Sequence, residues 1–502
     1  MTLLFTSESG YMLEQTISED SQSGPQPGPA YLCLYGHFYQ PPREEPFTGT
    51  LPPEPGATPF ANYNEKITAE CYRPNAEVGN FAHISFDLGP TLASWLEQTH
   101  PDVYRQIIDA DHQHRMRYGV GNALAQAYNH TILPLATTHD KQTQIIWGLN
   151  DFRHRYGHAA HGMWLAETAV DLESLDIMAR HGVTYTVLAP WQAATPIDPT
   201  EPYLVRLPGG RSITVFFYNA PLSGGVSFDW DTTSNADLFA ASYLSGHLVA
   251  SKREAGKAQL LLIATDGELY GHHKPWRDQF LTHLIHSGAP SYGFEICTLE
   301  RYLQLHPATK EVKLRVPSAW SCSHGVARWD TGCECTEGDS SWKGHLRHAL
   351  NNLATRGDRL FEQYAGATLN DPWAARDAYL ELHKGWMTPE HFWQQFAKEG
   401  HLPEQALAKG TLQLLEAQYY QQCSFTSCGF FFENLDRIEP RNDIAFARRA
   451  ISLYWQATGF NLQQGFLTDL QQVKGWRTGV TGAELYRQLP RVQQGLLPPL
   501  AR

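Results

Sequence analysis

Two carboxylates, each placed after a short apolar run, are the residues of this chain best placed to do chemistry. Met163-Trp164-Leu165 is followed two positions on by Glu167, and Leu260-Leu261-Leu262-Ile263-Ala264-Thr265 runs straight into Asp266. Apolar runs of this length are too short to cross a membrane and read as buried parallel strands. Acids delivered at the C-terminal lips of two such strands suit glycoside chemistry with retention. One attacks the anomeric carbon, and the other protonates the leaving oxygen and then deprotonates water or an acceptor sugar. A single acid after a strand is more often a helix cap or a loop residue. Two of them, in a chain rich in aromatic residues, point to catalysis. His37 follows the strand-like Tyr31-Leu32-Cys33-Leu34-Tyr35 and holds the same topological place.

The neighbours of these acids suggest roles. Whichever of the two acids is the proton donor must keep its proton near neutral pH, which partial burial and an ionised partner both favour. Glu268, two positions on, would share Asp266's face in a strand and anchor a substrate hydroxyl or a basic residue. His37 and His130 suit hydrogen bonding to sugar hydroxyls, although each is equally readable as a structural histidine at a strand end. Trp164 reads first as packing beneath Glu167 and second as part of the sugar-binding face. Trp191, Trp320 and Trp329 fall in expected loops and are candidate platforms for apolar sugar faces.

The elements that must position these groups alternate between strand and helix. Residues 1–29, rich in Ser, Gln, Gly and Pro, read as a disordered tail. Residues 30–310 read as a β/α barrel, with its site at the C-terminal ends of the strands. Within it, residues 88–116 and 139–155 have helical periodicity, and residues 203–207 and 213–217 form a hairpin-like pair around Pro208-Gly209-Gly210. Residues 293–297 and 299–305 supply a last strand and helix that finish the barrel. Beyond about residue 340 only helical patterns remain. Residues 311–502 therefore read as a loop rich in Cys, Trp and Gly, able to reach back over the site, followed by a helical domain.

The bulk properties exclude several function classes. The 502 residues suffice for a large core, and 39 basic against 52 acidic residues leave a net charge of −13 with no basic stripe. Nucleic acid and membrane are therefore not expected partners. The 14 Trp, 23 Tyr and 23 Phe permit sugar stacking without requiring it. No basic segment followed by an apolar run stands at the N-terminus. Eight cysteines in so long a chain do not make a disulfide scaffold, so a cytoplasmic location with reduced thiols is expected.

On four motifs in order the chain resembles glycoside hydrolase family 57. Tyr39-Gln40-Pro41 stands where the family has His-Gln-Pro, with Tyr39 replacing the His and His37 lying two residues earlier. Asn129-His130-Thr131-Ile132-Leu133-Pro134-Leu135 is similar to the second motif. Gly162-Met163-Trp164-Leu165-Ala166-Glu167-Thr168 is similar to the third, with Ala166 for Pro and Thr168 for Cys. Asp266-Gly267-Glu268-Leu269-Tyr270-Gly271-His272 matches the fourth. The resemblance implies an α/β fold, an incomplete (β/α)7 barrel followed by a mainly α-helical domain. It also implies retaining action on α-glucans, of amylase, 4-α-glucanotransferase, branching or galactosidase type. By carry-over Glu167 is the nucleophile, Asp266 the acid/base, and Gln40 and His272 join the substrate-binding set, with no cofactor and no catalytic metal. Ser321-Cys322-Ser323-His324-Gly325 and Ser427-Cys428-Gly429-Phe430-Phe431 resemble an uncharacterised domain that accompanies a subgroup of the family.

Two other classes compete. A metal-dependent carbohydrate deacetylase would use His154 and His158, spaced i, i+4, with Asp266, His272 and His273. Histidines at the polar end of a helix more often complement its dipole. A non-catalytic glucan-binding protein would need the cleft but not both acids. Cys322-x-His324 and Cys333-x-Cys335 have zinc-ligand types, but the spacing is tighter than usual and buried or redox-labile thiols are the preferred reading.

Overall fold

The computed structural model describes residues 27–398, 400–493 and 495–498. The expected tail lies, up to residue 26, outside the described residues. Its last part is not tail at all. Gly28 N–H donates to Arg253 O, and Pro29 O accepts from Gln259 N–H, so the chain is already held against the barrel before β1 begins.

Among the described residues ten strands form in chain order. They are β1 (Ala30–Phe38), β2 (Ser85–Leu88), β3 (Ala123–Gln126), β4 (Met163–Trp164), β5 (Tyr185–Leu188), β6 (Tyr203–Arg206), β7 (Ser212–Phe217), β8 (Gln259–Asp266), β9 (Phe294–Ile296) and β10 (Lys310–Glu311). Strands β8, β1, β2, β3 and β4 lie side by side and parallel. A bridge from Gly162 to Tyr185 hands the ring on to β5, which pairs in parallel with β7. The ring closes thinly, by Asn219 N–H donating to Leu262 O just beyond the end of β7. This is the incomplete seven-stranded barrel. Strand β6 is the outlying arm of the expected hairpin, antiparallel to β7. Strand β9 does not finish the ring; it pairs only with Ala30, Tyr31 and Leu32, where β2 has not yet begun.

Side-chain parity along β1 and β8 sorts the barrel. Tyr31, Cys33, Tyr35, Leu260, Leu262 and Ala264 fill the interior with Trp164, Tyr185 and Phe216. Their neighbours Leu32, Leu34, Leu261 and Ile263 pack outward under the helices. Strands buried on both faces read as unbroken apolar runs, so this sorting is invisible in the sequence.

The helical pattern over residues 88–116 resolves differently. Leu88 closes β2, Gly89-Pro90 opens one helix (Pro90–Thr99), and Pro101 opens a second (Pro101–Tyr118). Each proline sits in a first turn, where its missing N–H costs nothing. Another helix, Ala220–Phe228, was not expected. Pro221, Gly224 and Gly225 obscure its periodicity, but Asn219 caps it by accepting Leu222 N–H.

After residue 340 long helices dominate, among them Trp342–Ala365, Pro372–His383, Gln405–Cys423 and Ile438–Thr458. They share a core of their own. They are also bonded to the barrel. Arg376, fully buried, pairs with Asp140 at 2.8 Å, and Trp147 Nε1–H donates to Arg376 O. A buried ion pair broken on one side costs roughly 3–5 kcal/mol, so this contact fixes the helical domain on the helix Thr138–Tyr156.

Candidate active site

Parity continues past Tyr35 and Ala264 to bring His37 and Asp266 to the mouth of the barrel. They are register partners across β1 and β8, and His37 is also the register partner of Asp87 on β2. Asp87, His37 and Asp266 therefore form one row on the inward face. Asp87 is fully buried; it accepts Tyr35 O–H at 2.6 Å and His37 Nδ1–H at 2.8 Å. Burial opposes charge on the His37 ring. The charge and hydrogen bond of Asp87, aided by Asp266 and Glu268, outweigh it and raise His37 to about 9. The imidazolium can then donate from Nε2 to His130 Nε2, 3.1 Å away, and His130 donates from Nδ1 to Ser427 Oγ at 2.6 Å. Burial and the charge on His37 hold His130 well below the usual imidazole range, so it is neutral, as this relay of donors requires.

Glu167 arrives by a sharper route. Strand β4 ends at Trp164, and the chain enters a single 3-10 turn, Ala166–Thr168, in which Glu167 (φ 57°) and Thr168 (φ 50°) are both left-handed. Each such residue without glycine's freedom costs on the order of 1–2 kcal/mol. The surroundings hold it in place. Gln192 accepts Thr168 O–H and donates to Thr168 O, and Val170 forms a two-residue antiparallel bridge with Ser318. Trp320 N–H then donates to Glu167 O, while Trp320 Nε1–H and Ser321 O–H both donate to Glu167 Oε2, each at 2.8 Å. Burial pushes the Glu167 carboxyl above its ordinary value. These two donors pull it back, Asp266 pushes it up, and His37 pulls it down.

Asp266 is the one exposed residue of β8, because it ends the strand and lines the open cleft. The crowding around it still raises its carboxyl, against the charges of His37 and His273. Both acids line a cleft of about 340 Å³ with Trp191, Tyr218, Phe228, Trp320 and Phe431. Two acids with raised proton affinity, one of them held by two donors on one oxygen, can divide nucleophile from acid/base.

The other expected site residues are distributed unevenly. Trp191, 46% exposed, and Trp320 lie on the cleft wall, with Trp191 Nε1–H tied to Ala319 O. Trp164 is fully buried beneath, stacked on Tyr35 and His37 at centroid distances of 4.9 and 5.1 Å. His37 and His130 are buried behind the lining, joined to each other. Glu268 does not share Asp266's face as expected, because the strand stops at Asp266 and Gly267–Leu269 turns away. Among the described residues it forms no ion pair with a basic side chain. It accepts Tyr39 N–H and Tyr72 O–H, and burial raises it to about 7. Gln40 is buried and accepts from Arg43. His272 is turned to Glu70 at 2.5 Å. Trp329 is fully buried in the helical core, and as a platform it is corrected: its ring has no face to offer.

The histidine pair of the deacetylase reading also separates. Gly157 (φ 72°) ends the helix at Tyr156, so His158 lies beyond it and pairs with Asp111, while His154 stacks on Trp386.

Several contributors had weak sequence signals or none. Asp87 is the third residue of β2, a four-residue strand too short to stand out just ahead of the helical pattern that begins at residue 88. Ser321 and Ser427 are ordinary serines until folding brings them 154 and 297 residues back along the chain. Phe228 and Ser223 belong to the unexpected glycine-containing helix.

The comparisons with known proteins accord with this geometry. The family model for Glycosyl hydrolase family 57 matches residues 29–315, and one for a domain of unknown function, DUF3536, matches residues 339–497. No curated protein matches the chain. Among solved structures, an exo-type maltose-forming amylase of Pyrococcus sp. ST04 is similar at TM-score 0.69 and 14% identity, over 88% of this chain and 82% of that one. A branching enzyme of Pyrococcus horikoshii is similar at TM-score 0.59 and 14% identity, over 94% and 99%. A 4-alpha-glucanotransferase of Thermococcus litoralis is similar at TM-score 0.54 and 15% identity, over 86% and 60%. At such identities the likeness is one of fold.

Proposed function

Because this chain belongs to glycosyl hydrolase family 57, we propose that it is a retaining glycosidase or transglycosylase of α-glucans, with Glu167 as nucleophile and Asp266 as acid/base. The observation that carries the reading is that these two acids, from opposite stretches of the barrel, line one cleft walled by aromatic rings. The α-glucan class draws on the amylase, glucanotransferase and branching enzyme whose fold the chain shares.

In this reading a glucose unit lies against Trp191 or Tyr218 with its anomeric carbon before Glu167. Trp320 and Ser321 fix the attacking carboxylate and keep it ionised. Asp266 gives its proton to the leaving oxygen as Glu167 forms the glycosyl-enzyme, and takes one from water or an acceptor sugar in the second step. His37, held charged by Asp87, lowers the proton affinity of both acids from behind. Hydrolysis and transfer share this intermediate and differ in how far the acceptor side excludes water. The test is incubation with maltoheptaose and amylose, with products resolved by chain length and linkage. Shorter chains indicate hydrolysis, longer ones disproportionation, and new α-1,6 linkages branching. An unchanged substrate with the wild-type chain counts against the reading.

A further inference from the structure

The loop that holds Glu167 continues into a cluster of soft ligands with no part in the cleft. We propose that Cys322, His324, Cys333 and Cys335 bind one zinc ion in a closed tetrahedral site. The ion pins the loop whose Trp320 and Ser321 grip Glu167.

One candidate ligand atom from each of the four residues lies within 4.8 Å of the other three, and among the described residues no other group of three or more His, Cys, Asp or Glu side chains converges so. Cys322 Sγ and Cys333 Sγ are 3.7 Å apart, and Cys335 Sγ and His324 Nδ1 are 3.5 Å apart. A tetrahedron with Zn–S of ~2.3 Å and Zn–N of ~2.0 Å has S–S edges of ~3.8 Å and S–N edges of ~3.5 Å. These two edges match. A disulfide would need ~2.05 Å between sulfurs, and all eight cysteines are unpaired. A weak thiol hydrogen bond explains one edge, not four ligand atoms all within 4.8 Å of one another. Three thiolates and an imidazole make a closed donor set that suits zinc held for structure rather than chemistry.

The backbone is built to make this convergence. From Ser318 to Ser341 its only helical turn is the 3-10 segment Ala327–Trp329, and an irregular segment of that length needs a tie. Gly332 (φ 84°) turns the chain back so that Cys333 meets Cys322, and a Cβ there would run into Ser340 O at 2.3 Å. Arg328 donates to Cys335 O at 2.6 Å and fixes the second knuckle. Cys322 directly follows Ser321, so an ion at Cys322 limits how far the donors on Glu167 can move. Only this last consequence rests on reading Glu167 as the nucleophile; the site itself does not.

Elemental mass spectrometry of the purified full-length chain is expected to find about one zinc per polypeptide. A mercurial that titrates thiols should release it stoichiometrically to a colorimetric chelator. Cells grown on cobalt should yield a coloured protein with thiolate-to-cobalt charge-transfer and tetrahedral d–d bands. Cys322→Ser combined with Cys335→Ser should lower bound zinc at least tenfold, whereas Glu334→Gln, between two ligands but not one of them, should retain it. If the double variant fails to fold, the wild-type stoichiometry and cobalt spectrum decide. A metal-free chain with three alkylatable thiols at Cys322, Cys333 and Cys335 overturns the proposal. So does a Cys322–Cys333 disulfide found by peptide mapping, or iron in place of zinc. None of these readouts depends on turnover, so the site stands or falls apart from the proposed activity.

Discussion

Trp320 reaches across 153 residues of sequence to place its indole N–H 2.8 Å from Glu167 Oε2, the same oxygen that accepts the Ser321 hydroxyl. The barrel thus supplies the carboxylate, and the segment leading into the helical domain supplies the two donors that orient it. Charge-assisted hydrogen bonds of this kind contribute about 1.5–3 kcal/mol each, enough to offset the left-handed turn that presents Glu167.

Trp320→Phe keeps the ring and removes the donor. Losing it leaves burial less opposed, so the Glu167 carboxyl should rise further. A nucleophile must be ionised, so the acid limb of the kcat/KM–pH profile should move to higher pH. The plateau should fall ~10-fold or more, in line with one charged hydrogen bond. A profile superimposable on wild type would show that the indole does not tune Glu167.

The two acids should fail differently. Glu167→Gln removes the attacking atom and should abolish activity on every substrate. Asp266→Asn should lower turnover of oligosaccharides ~10²–10⁴-fold. With an α-glucosyl fluoride, whose leaving group needs little protonation, the Asp266 variant should still give a burst and trap a covalent sugar. Mass spectrometry should find the adduct on the peptide containing Glu167. An adduct on Glu268 or Glu173 would mean a different nucleophile.

The His37–Asp87 pair should appear in stability against pH. His37 is raised from 6.5 to about 9, so its pairing stabilises the fold fully below pH 6.5, and that contribution is lost as pH rises through about 9. Asp87→Asn leaves a buried imidazole without its counter-charge and should cost ~3 kcal/mol at the acid end. The difference in Tm between the two proteins should narrow as pH increases across this window. A gap that stays constant would place the charge elsewhere.

Trp191 and Trp329 make a paired test of exposure. Trp191→Ala should raise KM ~3–10-fold with kcat little changed, since a stacking face is lost from the cleft wall. Trp329→Ala should instead destabilise the fold by ~3–5 kcal/mol and leave KM of the folded protein alone. The reverse pattern would return Trp329 to the cleft.

What the sequence determined by itself is local. Short apolar runs ending in Glu167 and Asp266 marked the strand lips. Residues such as Asp371-Pro372 and Thr388-Pro389 marked helix starts, because a capping oxygen and a proline in the first turn act within three or four residues. The loop over the site was legible as an interruption of both patterns. The inward row of Asp87, His37 and Asp266 was not, because parallel strands buried on both faces carry no alternation to show which side chains turn in. Nor were the contacts of Glu167 with Trp320, of His130 with Ser427, or of Glu268 with Tyr72. Each joins residues more than 150 positions apart, and nothing local to either partner encodes the other. Trp329 and Trp191 have the same side chain in similar loop-like sequence. Only the packing of the helical domain against the barrel decided which one was sealed into a core and which was left facing the cleft.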